Sequence, residues 1–243
     1  MGKIFALILL FLLTACTEEP VITKSDSPPE DPDREPEIIE EENDDNEEVE
    51  EFIEFALPEE EIMINLKLVP ILDSYLQAAQ NKQQAIEQMT LIPIHAADKT
   101  LYLLEFSCQE ALCSYLLLDQ TEENRAYLMA DLAKLTQKTM APDNTKMLFH
   151  FDRKHSSQPP LSDIVVMDLE QWEHVTLHNQ TENEVMLDYT WPILTVEWNE
   201  DISLTATVPD IIEPSPDYLN QWENTEKPTT EIEFTLNTAD STE

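Results

Sequence analysis

Ala141-Pro142-Asp143-Asn144-Thr145-Lys146-Met147-Leu148-Phe149 is a turn running into a strand, and Ile164-Val165-Val166-Met167-Asp168-Leu169-Glu170 is a strand running into a turn. Asp143 and Asn144 hydrogen-bond their own backbone and tolerate left-handed φ, while the runs behind and ahead of them are short, apolar and strand-like. Working outward, Leu135–Met140 and His174–His178 complete a four-stranded meander around these two. An earlier one reads Leu91–His95, Thr100–Ser107, Cys113–Asp119 and Ala126–Asp131. A third starts with Ile193–Trp198 and Ser203–Val208, and a last strand, Glu231–Leu236, turns Ile232, Phe234 and Leu236 inward.

The central unit resembles a β-propeller blade. Its Pro142-Asp143-Asn144 turn is similar to the Pro-Asp-Gly turn of many blades, with Asn144 in the glycine place, and Ile164–Glu170 resembles a third blade strand ending in Asp-Leu. Units starting at Leu91, Leu135 and Ile193 are spaced by 44 and 58 residues, where a blade takes roughly 40–50. Closed propellers take about four to eight blades, more than these segments supply. The expectation is a mainly β fold of antiparallel four-stranded meanders resembling blades, as an open array or a sandwich.

Two helices frame the strands. Asp73 is positioned to N-cap a helix over Ser74–Met89, and Ser215 with Pro216 starts a short one near the C-terminus. Residues 61–237 are expected to form the globular domain and 238–243 a frayed tail.

The chain opens with Lys3 and then runs from Ile4 to Ala15 without a charge. That run is too short to span a bilayer, which takes about 20 residues, and fits the apolar part of a secretory signal peptide over 1–15. Leu13-Thr14-Ala15-Cys16 resembles the lipobox of bacterial lipoproteins. The resemblance implies cleavage before Cys16, a lipid on its thiol, and a mature protein on the extracytoplasmic side of the cell membrane. A myristoylation pattern is excluded by Ala6, which stands where Ser or Thr is needed.

Charge is lopsided: 51 acids against 13 bases give −38. Residues 17–60 hold 20 of the acids and only Lys24 and Arg34 as bases, leaving −21 for residues 61–243 once Lys3 is counted. Such a chain repels phosphates, so nucleic-acid partners are excluded. High charge, low hydrophobicity and Pro20, Pro28, Pro29, Pro32 and Pro36 predict a disordered acidic linker over 16–60, holding the domain away from its membrane. Val49–Leu57 is its one partly apolar stretch.

Gly2 is the only glycine, so the mature chain lacks the phosphate cradles, the Gly-x-Ser-x-Gly elbow and EF-hand loops that depend on one. Positive-φ turns must use Asn or Asp, as at Asp143-Asn144 and Asn199-Glu200-Asp201. Cys108 and Cys113 bracket four residues between two strands, and export permits them to bond. That placement favours a structural disulfide over two buried thiols.

Candidate chemistry is sparse. His174 and His178 share a face if their segment is one strand, with Glu173 and Glu182 beside them, but a metal needs three or four converging ligands. His150 with Asp152 or Asp168, and Ser162, could build a hydrolase site. Trp172, Trp191, Trp198, Trp222 and the tyrosines could line a glycan surface, although aromatics beside strands usually pack cores. No cofactor and no metal site is expected. The reading is a lipid-anchored envelope protein serving as a binding or structural module, its partners the membrane and an envelope protein or glycan. The alternative is an envelope hydrolase or metal-dependent enzyme on the same β scaffold.

Overall fold

The structure is a computed structural model, and it describes residues 21–25, 27–42, 49–96, 99–119, 125–153, 159–179 and 186–237. The leader, Cys16, His155, Glu182 and the segment 238–243 lie outside the described residues.

The fold is mainly β and antiparallel. Its first layer overturns the expectation of a disordered linker for the described part of residues 16–60. There β1 (Ile22–Ser25), β2 (Glu37–Glu42), β3 (Val49–Leu57) and β4 (Glu60–Asn65) form a sheet in the order β1-β4-β3-β2. The acids do crowd one another: Glu37 faces Glu54, Glu40 faces Glu51 and Glu41 faces Glu50 across the β2–β3 hairpin. Like charges directly opposite destabilise a sheet. Two things offset them. Arg34 contacts Glu37 (3.3 Å), Glu54 and Glu61 (3.6 Å), while Lys24, Lys67 and Lys82 reach Glu60, Glu50 and Glu51. More important, Ile53 and Phe55 flank Glu54 on β3 and, with Ile22, Ile62 and Ile64 of the neighbouring strands, are buried. Each buried large side chain is worth about 1.5–3 kcal/mol, against roughly 0–1 for an exposed ion pair, so burial decides.

Two short helices follow where one was expected. α1 (Pro70–Ala78) starts on its proline rather than on Asp73, which lies in the first turn. Ala79 is extended, and α2 (Lys82–Glu87) restarts on Asn81, whose side chain accepts the N–H of Gln84 at 3.2 Å. Leu72, Leu76 and Ile86 pack on the first layer.

The second layer is β5 (Thr90–Ala96), β6 (Lys99–Gln109), β7 (Leu112–Asp119) and the first half of β8 (Ala126–Met140). The two strands expected at Ala126–Asp131 and Leu135–Met140 are this one strand. It pairs with β7 as far as Ala133 and with β9 (Lys146–Arg153) from Lys134 onward, with Leu132 at φ 47° just before the changeover. The third layer is thus the second half of β8, β9, β10 (Leu161–Asp168) and β11 (Glu173–Val175). A seven-stranded ladder bends at that point, so that its halves face each other and Tyr115 of β7 meets Phe151 of β9 at 5.3 Å.

The fourth layer contains β12 (Leu177–Asn179), β13 (Thr195–Glu200), β14 (Ser203–Pro209) and β15 (Thr229–Leu236), ordered β12-β15-β14-β13. The helix α3 (Pro216–Glu223) is inserted between β14 and β15. Its proline stands in the first turn, but Ser215 makes no side-chain cap.

Period-2 alternation produces the layering. On β6, Tyr102, Leu104 and Phe106 enter the core shared with the first layer, while Leu101 and Leu103 enter the next. On β10, Val165 and Met167 face the second layer and Ile164 and Val166 the fourth. Strands buried on both faces read as unbroken apolar runs. Each of three cores joins neighbouring layers, and among the described residues none joins the first layer to the fourth.

Turns solve the lack of glycine in several ways. Asn144 takes φ 60°, as expected, with the Asp143 carboxylate accepting from the N–H and hydroxyl of Thr145. Asp168 accepts the N–H of Glu170 and Gln171 in the turn that Trp172 closes at φ 54°. The Asn199–Asp201 turn differs from expectation: it closes through a bulge between Trp198 and Glu200, with no positive φ. Elsewhere Glu110 and Ala111 hold φ 51° and 72° in the β6–β7 hairpin.

Candidate functional site

Cys108 and Cys113 are joined across that hairpin, with sulfurs 2.19 Å apart. The Oε1 atom of Glu105 lies 3.2 Å from the sulfur of Cys113, making a carboxylate–cysteine trio. With the sulfurs bonded to each other, neither is a thiolate available to a metal.

The histidine pair does not converge. His174 is on β11, opposite Met167 in the third layer, and His178 is on β12, opposite Thr235 in the fourth. The chain leaves one sheet for the other between them, so the shared face assumed from their spacing does not exist.

The structure does bring His150, Asp152 and Ser162 together. Ser162 faces Asp152 across the β9–β10 ladder, and Ile164 faces His150. The order of contacts is wrong for catalysis. The Ser162 hydroxyl donates to the Asp152 carboxylate at 2.7 Å and accepts the N–H of Ile193 at 3.2 Å. The imidazole Nε2 stands 3.6 Å from that same carboxylate, with no hydrogen bond of its own. A serine nucleophile needs the imidazole next to its hydroxyl, with the carboxylate behind. Here the carboxylate is in the middle, and Ser162 is 0% exposed. Burial also pushes the His150 imidazole below its ordinary pKa, against a smaller pull from Asp152. The cluster pins the segment before β13 to the third layer.

The tryptophans are dispersed. Trp172 packs on the second core, Trp191 and Trp198 on the third, and Trp222 lies on α3. They build no common platform.

A concavity lies beside α3, a cleft of about 470 Å³ lined by Asp210, Ile211, Ile212, Tyr218, Trp222 and Glu226, among others. Its frame is rigid. The Pro228 carbonyl accepts both the Asp210 N–H (2.9 Å) and the Trp222 indole N–H (2.6 Å), tying the loop after β14 to the helix. Trp222 is 6% exposed and forms the floor, whereas Ile212 stands out at 81%. Lys227 bonds Glu223 at 2.7 Å, with its ammonium 5.5 Å over the Trp222 ring. Among the described residues no cation pairs with the carboxylates of Asp210 or Glu226. Sequence reasoning singled out Trp222 and the tyrosines, Tyr218 among them, but missed the loop residues and the carboxylates. The available signal was Ile211-Ile212, two large apolar residues between Pro209 and Pro214, outside any strand period.

No family model matches the chain, and no curated protein does. Among solved structures, a Pyrococcus horikoshii acylaminoacyl peptidase is similar over 52% of this chain and 18% of that one, at 19% identity and a TM-score of 0.30. A likeness that slight carries no argument about fold or activity.

Proposed function

We propose that this protein is a lipid-anchored module of the extracytoplasmic face of a bacterial membrane, and that its β array presents a binding cleft to an envelope partner. The anchor rests on the resemblance of Leu13-Thr14-Ala15-Cys16 to a lipobox. The binding role rests on the cleft beside α3, where apolar side chains meet carboxylates that pair with no cation among the described residues, on a braced frame. The hydrolase alternative loses its strongest constellation, because the carboxylate separates Ser162 from His150.

Two measurements test the two halves. Expression of the full chain in bacteria fed labelled fatty acid should label the wild type and leave Cys16→Ala unlabelled; label persisting in the variant removes the anchor. A photo-reactive residue placed in turn at the exposed positions Ile71, Leu128, Ile202 and Ile212 should give a discrete protein adduct in cells from at least one of them. Absence of an adduct at every position counts against the binding role.

A further inference from the structure

We infer that the cleft beside α3 takes a segment of a partner protein that presents a Lys or Arg beside an aliphatic side chain. The inference rests on the binding-module reading and names its occupant.

Shape comes first. A volume of about 470 Å³ falls in the range of ligand sites, about 300–1,000 Å³. Ile211, Ile212 and Pro228 give it apolar walls, and an isoleucine 81% exposed on a loop is surface that water disfavours. An aliphatic side chain covers such walls.

Charge selects the rest of the occupant. Asp210 and Glu226 border the apolar walls, and no cation among the described residues pairs with either carboxylate. The ammonium of Lys227, beside Glu226 in sequence, is held by Glu223 and sits over the Trp222 ring, so it leaves the rim negative. An anionic or neutral segment would leave both carboxylates desolvated without compensation. A Lys or Arg satisfies them through charge-assisted hydrogen bonds.

A sugar is the weaker fit. Stacking on a sugar ring needs an open aromatic face, and Trp222 is 6% exposed with the Lys227 ammonium already above it. Tyr218 alone remains, and it is half-buried.

The difficulty in testing this is that a chain of −38 attracts any polycation weakly. The experiment therefore uses the full chain in neutral detergent at physiological salt and a fluorescent heptapeptide of alternating Lys and Leu. Controls are its Glu/Leu counterpart and an N-acetylhexosamine oligosaccharide. Asp210→Asn with Glu226→Gln should weaken the Lys/Leu peptide about tenfold, the worth of two surface charge pairs. Ile212→Ser, which leaves charge unchanged, should weaken it about as much by removing apolar cover. Glu40→Gln with Glu41→Gln removes the same charge from β2 and should leave affinity within about twofold. Equal losses from the two charge pairs, or indifference to Ile212→Ser, would reduce the effect to diffuse attraction and overturn the proposal. Preference for the oligosaccharide overturns it in favour of a glycan. If the cellular adduct forms at Ile71, Leu128 or Ile202 but not at Ile212, the binding role stands and this cleft is not its seat.

Discussion

The first layer and the two middle layers are built from the same element, a four-stranded antiparallel sheet, with opposite surfaces. In the middle, β6, β7, β9 and β10 are apolar on both faces and buried between neighbours. In the first layer, one face carries Ile53, Phe55 and Ile62 into a core, and acids occupy most of what remains. The contrast shows that net charge does not decide whether a segment folds. What decides is whether apolar side chains at alternate positions find something to cover them. Here α1, α2 and the outer face of β6 and β7 supply the cover.

The largest effect comes from emptying each kind of layer. Phe151→Ala in the second core and Phe55→Ala in the first should each cost about 3–5 kcal/mol, read as a lower denaturation midpoint at unchanged slope. If the first layer were a loose tether, Phe55→Ala would cost nothing. Next is the β6–β7 hairpin. Replacing Cys108 and Cys113 together with serine should cost about 2 kcal/mol; an unchanged midpoint would mean the hairpin needs no staple.

Arg34→Ala singles out the acidic layer. The guanidinium is partly exposed, so the loss should be about 1 kcal/mol at low ionic strength, shrinking as salt screens the freed carboxylates. The variant should therefore gain more from added salt than the wild type does, and parallel salt curves would contradict the ladder of acids. Smaller still is a slope. His150 is buried neutral and its folded pKa lies below the ordinary 6.5. The unfolded chain then binds the extra proton first, so stability falls as pH drops below about 6.5. His150→Leu should flatten that acid limb in melts recorded from pH 7 to pH 5. Smallest is a gain. Ala111→Gly relieves a left-handed alanine and should stabilise by about 0.5–1 kcal/mol, the strain released less the entropy glycine adds.

Legibility followed the same contrast. Strands with both faces buried announce themselves as short apolar runs, and Leu101–Phe106, Met147–Phe151 and Ile164–Met167 were readable on that ground. The acidic strands were not, because composition averages Ile53 and Phe55 with the glutamates beside them. Two features depended on tertiary geometry that no local pattern carries. β8 continues through Leu132 instead of turning, and the chain changes sheets between Val175 and Leu177, which parts His174 from His178. The cleft was the least readable feature, since its walls come from a loop and a helix end that meet only through the Pro228 carbonyl.

One consequence follows from where β1 begins. Val21 is already buried and Ile22 already paired with Ile64, so if Cys16 carries the proposed lipid, the stretch from it to Val21 is five residue steps. At about 3.3–3.6 Å per residue it reaches no more than about 18 Å. The acidic stretch expected to serve as a mast is instead part of the hull. Under the proposed anchoring, a protein moored that closely would sweep a thin shell above the headgroups, free to swivel but not to rise. The partner proposed for it would then be met in that shell, among molecules that share the membrane surface, where confinement to two dimensions raises the encounter rate without any added contact.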